Sequence, residues 1–459
     1  MYQINFKQPI HVHFMGIGGI SMSGLAQILL DEGFTVSGSD SKQSALTEHL
    51  ASLGAVISYG QRASNITDDI DLVVYTAAIS ADNPEYEEAC NRGIPMMTRA
   101  ALLGQIMRNY KLPIAISGTH GKTTTTSMIS EVLLADNDDP TLSIGGILKS
   151  IGGNIRVGKS DYFVTEACEY TNSFLSFFPR ISIILNIEED HLDFFKDIND
   201  IRNSFHRFAQ ILPEDGYLII NGGIDRLDEI TGDLPCHVIT FGKDASCDYS
   251  YTDVTFDDFG RGSYTLLKKG TPSVKVSLGV VGEHNILNSL SVFALMDILG
   301  IDTNVVLKSL ADFHGTDRRF EYKGTIGGVT ILDDYAHHPT EITATLKAAA
   351  NYPHRTLWCV FQPHTYSRTN AFLKDFAKAL TLADKVILAD IYAAREKNTI
   401  GITSKDLQAE VEKLGKECYY FHSFDEIENF LLKNCINGDL LITMGAGDVV
   451  KIGENLLGI

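Results

Sequence analysis

Residues 112–135 read LPIAISGTHGKTTTTSMISEVLLA, and the rest of the chain can be placed around them. An apolar run over 112–116 stops at Ser117 and Gly118, and beyond Lys122 the residues Met128, Ile129, Val132 and Leu133 recur at helical spacing. The pattern predicts a strand, a tight glycine loop and a helix. Backbone N–H groups in such a loop, with the positive end of the helix dipole, form a socket for phosphate oxygens. Lys122 adds a point charge to that socket, and the Thr123 hydroxyl stands where it can bind a Mg2+ that bridges the phosphates. The loop is shorter than the usual G-x-x-x-x-G-K-[ST], because Gly118 and Gly121 enclose only Thr119 and His120. A Gly-Lys-Thr triplet at a helix start also arises by chance, so the preceding strand and following helix carry the phosphate reading.

Downstream, two further apolar strands are expected, over 162–165 ending in Glu166 and over 181–187 ending in EEDHLD at 188–193. In a parallel sheet both deliver their carboxyl ends to the edge that holds the loop. Glu166, His191 and Thr123 can then converge on one metal, and a carboxylate there suits Mg2+, which takes hard oxygen ligands. The alternative for His191 is a loop histidine beside Asp190 and Asp193 with no ligand role. Residues 215–281 read as glycine-punctuated strands over 217–220, 237–241 and 274–278, antiparallel in character and without identifiable chemistry. GEHNILN at 282–288 then opens a helix that runs through 295. Asn285 and Asn288 share a face, where a carboxamide can read an adenine edge; helix capping by Asn285 is the alternative.

Upstream, a strand over 11–15 meets the turn Gly16, Ile17, Gly18, Gly19, Ile20, Ser21, then a helix over 22–30 and a strand over 35–39 ending at Asp40, with a later strand over 72–76. The turn matches G-x-G-x-x-G except that Ser21 holds the last place, which leaves open a NAD site, another phosphate-bearing ligand or a purely structural turn. Around RRF at 318–320 the pattern restarts. Strands over 329–332, 357–361, 385–389 and 440–444 follow, three of them ending in DDYAHHP (333–339), QPHTYSR (362–368) and GAG (445–447). Polar residues thus gather where strands end, the ligand edge of an open sheet. The reading is an α/β chain of three domains, at 1–110, 111–319 and 320–459.

Composition agrees with this. Of 459 residues, 44% are hydrophobic, and 38 cations against 58 acids give a net charge of -20. No Lys/Arg cluster appears, which argues against nucleic acid as a partner, while a few local cations and N–H groups can still bind a small anion. The 7 cysteines form no C-x-x-C pair, so reduced thiols in a cytoplasmic protein are expected. The start MYQINFKQPIHVHF lacks the layout of a signal peptide, and no run approaches the ~20 apolar residues of a membrane helix, so no membrane insertion is expected.

Together these residues resemble the Mur ligase family, ATP-dependent enzymes that build the peptide stem of bacterial cell-wall precursors. The marks are GTHGKTT (118–124), NIEEDH (186–191), HNILN (284–288) and DDYAHHP (333–339), and the resemblance spans essentially the whole chain. HVHFMGIGG (11–19), FQPH (361–364) and AREK (394–397) point to the branch that adds the first amino acid.

The resemblance implies a Rossmann-like N-terminal domain for the UDP-sugar, a central P-loop ATPase-like domain for ATP, and a Rossmann-like C-terminal domain for the amino acid. It implies that Gly16, Ile17, Gly18, Gly19 and Asp40 contact UDP-N-acetylmuramate. ATP falls to Gly118, Thr119, His120, Gly121, Lys122, Thr123, Thr124, Asn285, Asn288, Arg319 and Asp334, and Mg2+ to Thr123, Glu166 and His191. L-alanine falls to Tyr335, His337 and Arg368. The implied activity, in peptidoglycan synthesis, is acyl-phosphate activation of the lactyl carboxylate followed by attack of the L-alanine amine, by a monomer or dimer. Lys122, Glu166 and His191 serve phosphoryl transfer, and His337, expected near its free pKa, is the first candidate for the base. Two departures stand out: Cys168 in EACE (166–169), where relatives often carry Asp, and Thr365, where they carry an arginine that would face the alanine carboxylate. Rival readings are a sibling ligase adding a recycled peptide to the same sugar acid, an NAD-dependent oxidoreductase with an accessory ATP domain, and an ATP-gated binding protein.

Overall fold

Three sheets order the chain in the computed structural model, which describes residues 2–76, 79–394 and 396–459. Arg395, within the AREK motif, lies outside the described residues. The first sheet contains β1 (His11–Met15), β2 (Thr35–Asp40), β3 (Val56–Tyr59), β4 (Leu72–Tyr75) and β5 (Met96–Thr98). It is wholly parallel, in the order β3-β2-β1-β4-β5. The helix Arg99–Met107, capped by Thr98, leads out of it. Six of the nine residues of this helix, from Ala100 to Met107, lie in one apolar core with Phe163, Ala167 and Phe174 of the next unit. A Cβ on Gly104 would sit 1.9 Å from the Ser176 carbonyl, so only glycine allows that approach. The first two units are therefore packed as one body.

The second sheet contains β6 (Leu112–Ser117), β7 (Thr141–Leu148), β8 (Gly153–Arg156), β9 (Tyr162–Ala167), β10 (Ile181–Ile184), β11 (Tyr217–Asn221), β12 (His237–Phe241), β13 (Tyr249–Phe256), β14 (Arg261–Lys268) and β15 (Thr271–Val281). Its order is β15-β14-β13-β12-β11-β10-β6-β9-β7-β8, with β6 between β10 and β9, all three parallel. Here the expectation for 215–281 needs correcting. β11 and β12 extend the sheet in parallel, and antiparallel pairing begins only at β13 with β14 and β15. The helices Ile198–Ala209 and Asp228–Thr231 return the chain between those strands, and parallel pairing needs such crossovers.

The third sheet contains β16 (Glu321–Ile326), β17 (Val329–Asp334), β18 (Leu357–Phe361), β19 (Lys385–Leu388), β20 (Cys418–Tyr420) and β21 (Leu440–Met444), ordered β16-β17-β21-β18-β19-β20. Only the hairpin of β16 and β17 is antiparallel. Every residue of β18 and β21 is buried, as expected of parallel strands covered on both faces. Among the described residues no helix is long and apolar enough to cross a membrane.

Candidate active site

The phosphate loop leaves β6 at Ser117 and turns through Gly118 (φ +142) and Gly121 (φ +85), both in backbone regions that favour glycine. Asn186, just past β10, holds the loop from the side. Its Oδ1 accepts from His120 N at 2.8 Å and its Nδ2 donates to His120 O at 3.0 Å. The helix Lys122–Ala135 begins at Gly121 with no side-chain cap, which leaves its first-turn N–H groups facing the loop for an anion. Lys122 Nζ donates to the Gly118 carbonyl, to Thr119 O at 3.1 Å and to Glu169 Oε2 at 3.0 Å. Burial alone would lower the Lys122 pKa, but the adjacent Glu169 carboxylate outweighs it and keeps the ammonium charged. The sequence reading missed Glu169, although its position three residues beyond Glu166, past the end of β9, was a signal.

Glu166 points from the end of β9 to the Gly145–Gly146 pair of β7, accepting from Gly145 N at 2.5 Å. A Cβ on Gly145 would lie 2.6 Å from Glu166 Oε2, and one on Gly146 would lie 3.1 Å from Thr123 Cγ2. Thr123 and Glu166 therefore abut neighbouring residues of one strand, and their hydroxyl and carboxylate are hard donors of the kind Mg2+ takes. His191 sits in a left-handed conformation (φ +53), stacked on Tyr170 at 4.5 Å. Its Nε2 lies 3.8 Å from Asp190 and 4.0 Å from Glu169, and burial lowers its pKa, which leaves a neutral ring with a free lone pair.

Opposite the loop stands the third sheet. A cavity of about 430 Å3 opens between them, lined by Gly121, Asn285, Asn288, Arg319, Asp334 and Tyr352 among others. Asn285 does not cap its helix: Gly282 holds that place, and Asn285 Nδ2 donates to Val281 O at 2.8 Å. Asn288 Nδ2 donates to Asn285 Oδ1 at 3.0 Å, so the two amides present one polar edge. Arg319 lies over the Tyr335 ring at 5.1 Å. Asp334 accepts from Phe320 N and Ala336 N at 2.9 and 2.7 Å, and burial pushes its pKa up to about 6. His284 and the aromatic pair Phe259 and Tyr352, with ring centroids 5.4 Å apart, also line the cavity. Residues 215–281 thus reach the site, contrary to the reading that they carry no chemistry.

Residues from the second and third units also pair directly. Arg368 Nε and Nη2 donate to Asp190 Oδ1 at 3.1 and 2.9 Å, and Arg368 Nη1 lies 3.2 Å from His364 Nδ1. His120 lies between Glu341, 3.1 Å from its Nδ1, and Glu188, 3.6 Å from its Nε2. Thr340 donates to Glu188 at 2.7 Å. His337 Nδ1 lies 3.0 Å from Tyr335 O, and burial drives its pKa down to about 4. This differs from the expectation of a ring near its free pKa: His337 is neutral at pH 7 and a weak base. Thr365 sits at φ +65 and donates its N–H to Tyr392 O at 2.9 Å.

At the first sheet, Gly16 N and Ile17 N donate to Ser39 O at 2.8 and 3.0 Å, and Gly18 N to Asp40 Oδ2 at 2.9 Å. A Cβ on Gly18 would meet Asp40 Oδ2 at 2.8 Å, so Asp40 braces the turn. Gly19 begins the next helix as its cap residue.

A phosphate loop facing a third α/β unit across a cavity, with a glycine turn on the first sheet, defines a nucleotide-dependent enzyme of three units. Residues 11–111 match the pattern described as Mur ligase family, catalytic domain; residues 116–296 the Mur ligase middle domain; and residues 318–447 the Mur ligase, glutamate ligase domain. The chain belongs to the Mur ligase family. It is 61% identical over 458 residues to the UDP-N-acetylmuramate--L-alanine ligase of Lachnospira eligens and 62% identical over 457 residues to that of Agathobacter rectalis, covering 100% of each pair of chains. The solved UDP-N-acetylmuramate-alanine ligase of Thermotoga maritima superposes with a TM-score of 0.82 at 31% identity over 98% of both chains. A murein peptide ligase of Psychrobacter arcticus, at 24% identity and a TM-score of 0.71 over 98% of both chains, shares the fold.

Proposed function

We infer that this chain is the ATP-dependent ligase that joins L-alanine to the lactyl carboxylate of UDP-N-acetylmuramate in peptidoglycan precursor synthesis. The observation that carries the reading is the cavity between the loop residues His120, Gly121 and Thr124 on one side and Arg319 and Asp334 on the other, in a chain 61% identical over its full length to such a ligase. A carboxylate is a poor electrophile, and ATP makes it a better one. One lactyl oxygen attacks the γ-phosphorus, ADP leaves, and an acyl phosphate forms. The neutral amine of L-alanine then attacks the acyl carbon, inorganic phosphate departs, and the ammonium proton passes to a base.

Lys122, charged and fixed at the loop, stabilises the negative charge that builds on the transferring phosphoryl group. Thr123, Glu166 and the neutral His191 are the residues we assign to a Mg2+, which when bound would neutralise phosphate oxygens. Asn285 and Asn288 are assigned to the adenine edge, and Arg319 to the phosphates. The turn from Gly16 to Gly19 is assigned to the diphosphate of the sugar nucleotide, with Asp40 bracing it. Tyr335, His337 and Arg368 are assigned to L-alanine. With its pKa near 4, His337 fits orientation of the amino acid better than removal of a proton from an ammonium group. A free-ATP substrate and 7 unpaired cysteines fit a cytoplasmic location.

The test is phosphate release with each substrate omitted in turn. Release that requires the sugar acid, L-alanine and ATP together supports the reading; release without the sugar acid, or none with all three and Mg2+, overturns it. One observation favours a second reading: this chain has Thr365 where the family resemblance implies an arginine facing the amino acid. Competition between L-alanine and a tripeptide separates the two.

A further inference from the structure

Arg99 is a cation without a counter-charge at the junction of the first two units. It opens the helix Arg99–Met107 directly after β5, at the carboxyl edge of the first sheet. Among the described residues it makes no hydrogen bond and no ion pair, although it is half-buried. Burial pulls its pKa down, and its electrostatic neighbour among the described residues is the Cys168 thiol. Cys168 in turn feels both Arg99 and Lys122, and it adjoins Glu169, which holds Lys122 at 3.0 Å. The helix that carries Arg99 cannot swing away, because Gly104 is pressed on the Ser176 carbonyl and its apolar residues share a core with β9. A half-buried guanidinium left unpaired is costly unless a ligand supplies the anion.

The sheet order says which anion. Asp40 ends β2 on one side of the glycine turn after β1, and β4 and β5 lie on the other. Neighbouring strands are about 4.8 Å apart, so Arg99 stands roughly 10 Å from the turn along the ligand edge. A sugar nucleotide with its diphosphate at the turn and its nucleoside toward Asp40 extends its hexose toward β5. One ring further on, the acid borne by that hexose comes to Arg99, which shares its neighbour Cys168 with Lys122.

We propose that Arg99 is the specificity residue for the sugar carboxylate: its guanidinium binds the lactyl acid and holds it beside the phosphate loop. This rests on the proposed function. Two roles follow from the chemistry. A planar guanidinium fixes a carboxylate through paired N–H donors, which orients one oxygen toward the γ-phosphate. It also offsets the repulsion between two anions that must approach to react.

The experiment measures binding without ATP or L-alanine, so it does not depend on turnover. Isothermal titration compares UDP-N-acetylmuramate with UDP-N-acetylglucosamine, which has the same nucleotide and hexose but no acid. In Arg99→Gln the dissociation constant for the acid is expected to rise about 10- to 100-fold, while that for the neutral sugar changes by less than about twofold. Arg99→Lys, which keeps the charge, should restore part of the preference. In the unsubstituted protein the acid, and not the neutral sugar, should protect Arg99 from phenylglyoxal, read by mass spectrometry of its peptide; this arm stands even where a variant fails to fold. Equal weakening of both ligands would make Arg99 a diphosphate contact, and no weakening with no protection would make it structural; either result overturns the proposal. A wild-type protein that prefers the acid yet releases no phosphate with all substrates would instead sink the proposed function.

Discussion

Neutralising Glu341 should loosen the third unit from the phosphate loop, because the two are joined through a charged histidine. His120 belongs to the loop, and its ring is 12% exposed, with Glu341 3.1 Å from Nδ1 and Glu188 3.6 Å from Nε2. Burial by itself would lower its pKa, but Glu341 and then Glu188 raise it from 6.5 to about 9. A group held that far above its unfolded value contributes about 3 kcal/mol. That contribution is complete below pH 6.5, where both states bind the proton, and fades as pH rises through about 9. Glu341→Gln keeps the shape and removes the nearer charge. Proton affinity of His120 should then fall by at least about tenfold, or roughly 1.4 kcal/mol, toward an ordinary histidine. Two measurements check this. An NMR titration of the His120 ring follows its pKa, and hydrogen exchange in the helix Pro339–Ala350, corrected for intrinsic rates, follows opening of the third unit between pH 6.5 and 9.5. A wild-type ring titrating near its free value, or a pH slope of opening unchanged by Glu341→Gln, would refute the electrostatic link.

Lys122→Ala should abolish ATP-dependent phosphate release while calorimetric affinity for the sugar nucleotide stays within about threefold, since the role we propose for Lys122 is on charge that develops only during transfer. Asn288→Ala should raise the KM for ATP about 5- to 50-fold with the protein still folded, because the mutation removes one amide of the pair and leaves Asn285 without its 3.0 Å donor. Acid should open the amino-acid side of the cleft: His337 and His364 are neutral, with pKa values lowered by burial to about 4, so stability present above pH 6.5 is lost as pH falls toward 4. Each contributes about 3 kcal/mol, and Asp334, raised to about 6, offsets roughly one of them, which leaves a net loss readable by chemical denaturation at pH 7 against pH 4.5.

Much of this architecture can be read from local pattern. β6 and β18 are apolar runs that stop at polar residues, β21 is one broken only by Thr443 and stopped at a glycine, and strands buried on both faces look like that. The direction of β11 and β12 could not be read the same way. Their apolar runs resemble hairpin strands, and what makes them parallel is a pair of crossover helices whose docking depends on the rest of the sheet. The phosphate loop was legible because strand, glycine pair, lysine and helix are contiguous, so one backbone trajectory fixes their geometry.

The residues that were not legible are those whose meaning arises between units. Asp190 reads as one more acid in a polar loop until Arg368, 178 positions away, is seen to donate two hydrogen bonds to it. Glu341 reads as an exposed first-turn acid, favourable to its own helix, until His120, 221 positions earlier, is found against it. Both pairs join the phosphate loop's unit to the unit assigned to the amino acid, and both draw on a residue that the resemblance assigned to a ligand. The physical consequence is competition. If Arg368 takes the L-alanine carboxylate, as we propose, that carboxylate has to displace or share Asp190, which is buried and held well below the usual carboxylate range by that same arginine. Amino-acid binding and the angle of the third unit are then two readings of a single charge pair. A chain that must exclude water from an acyl phosphate gains from that coupling, because closure over the cavity and occupancy of the acceptor site respond to the same guanidinium.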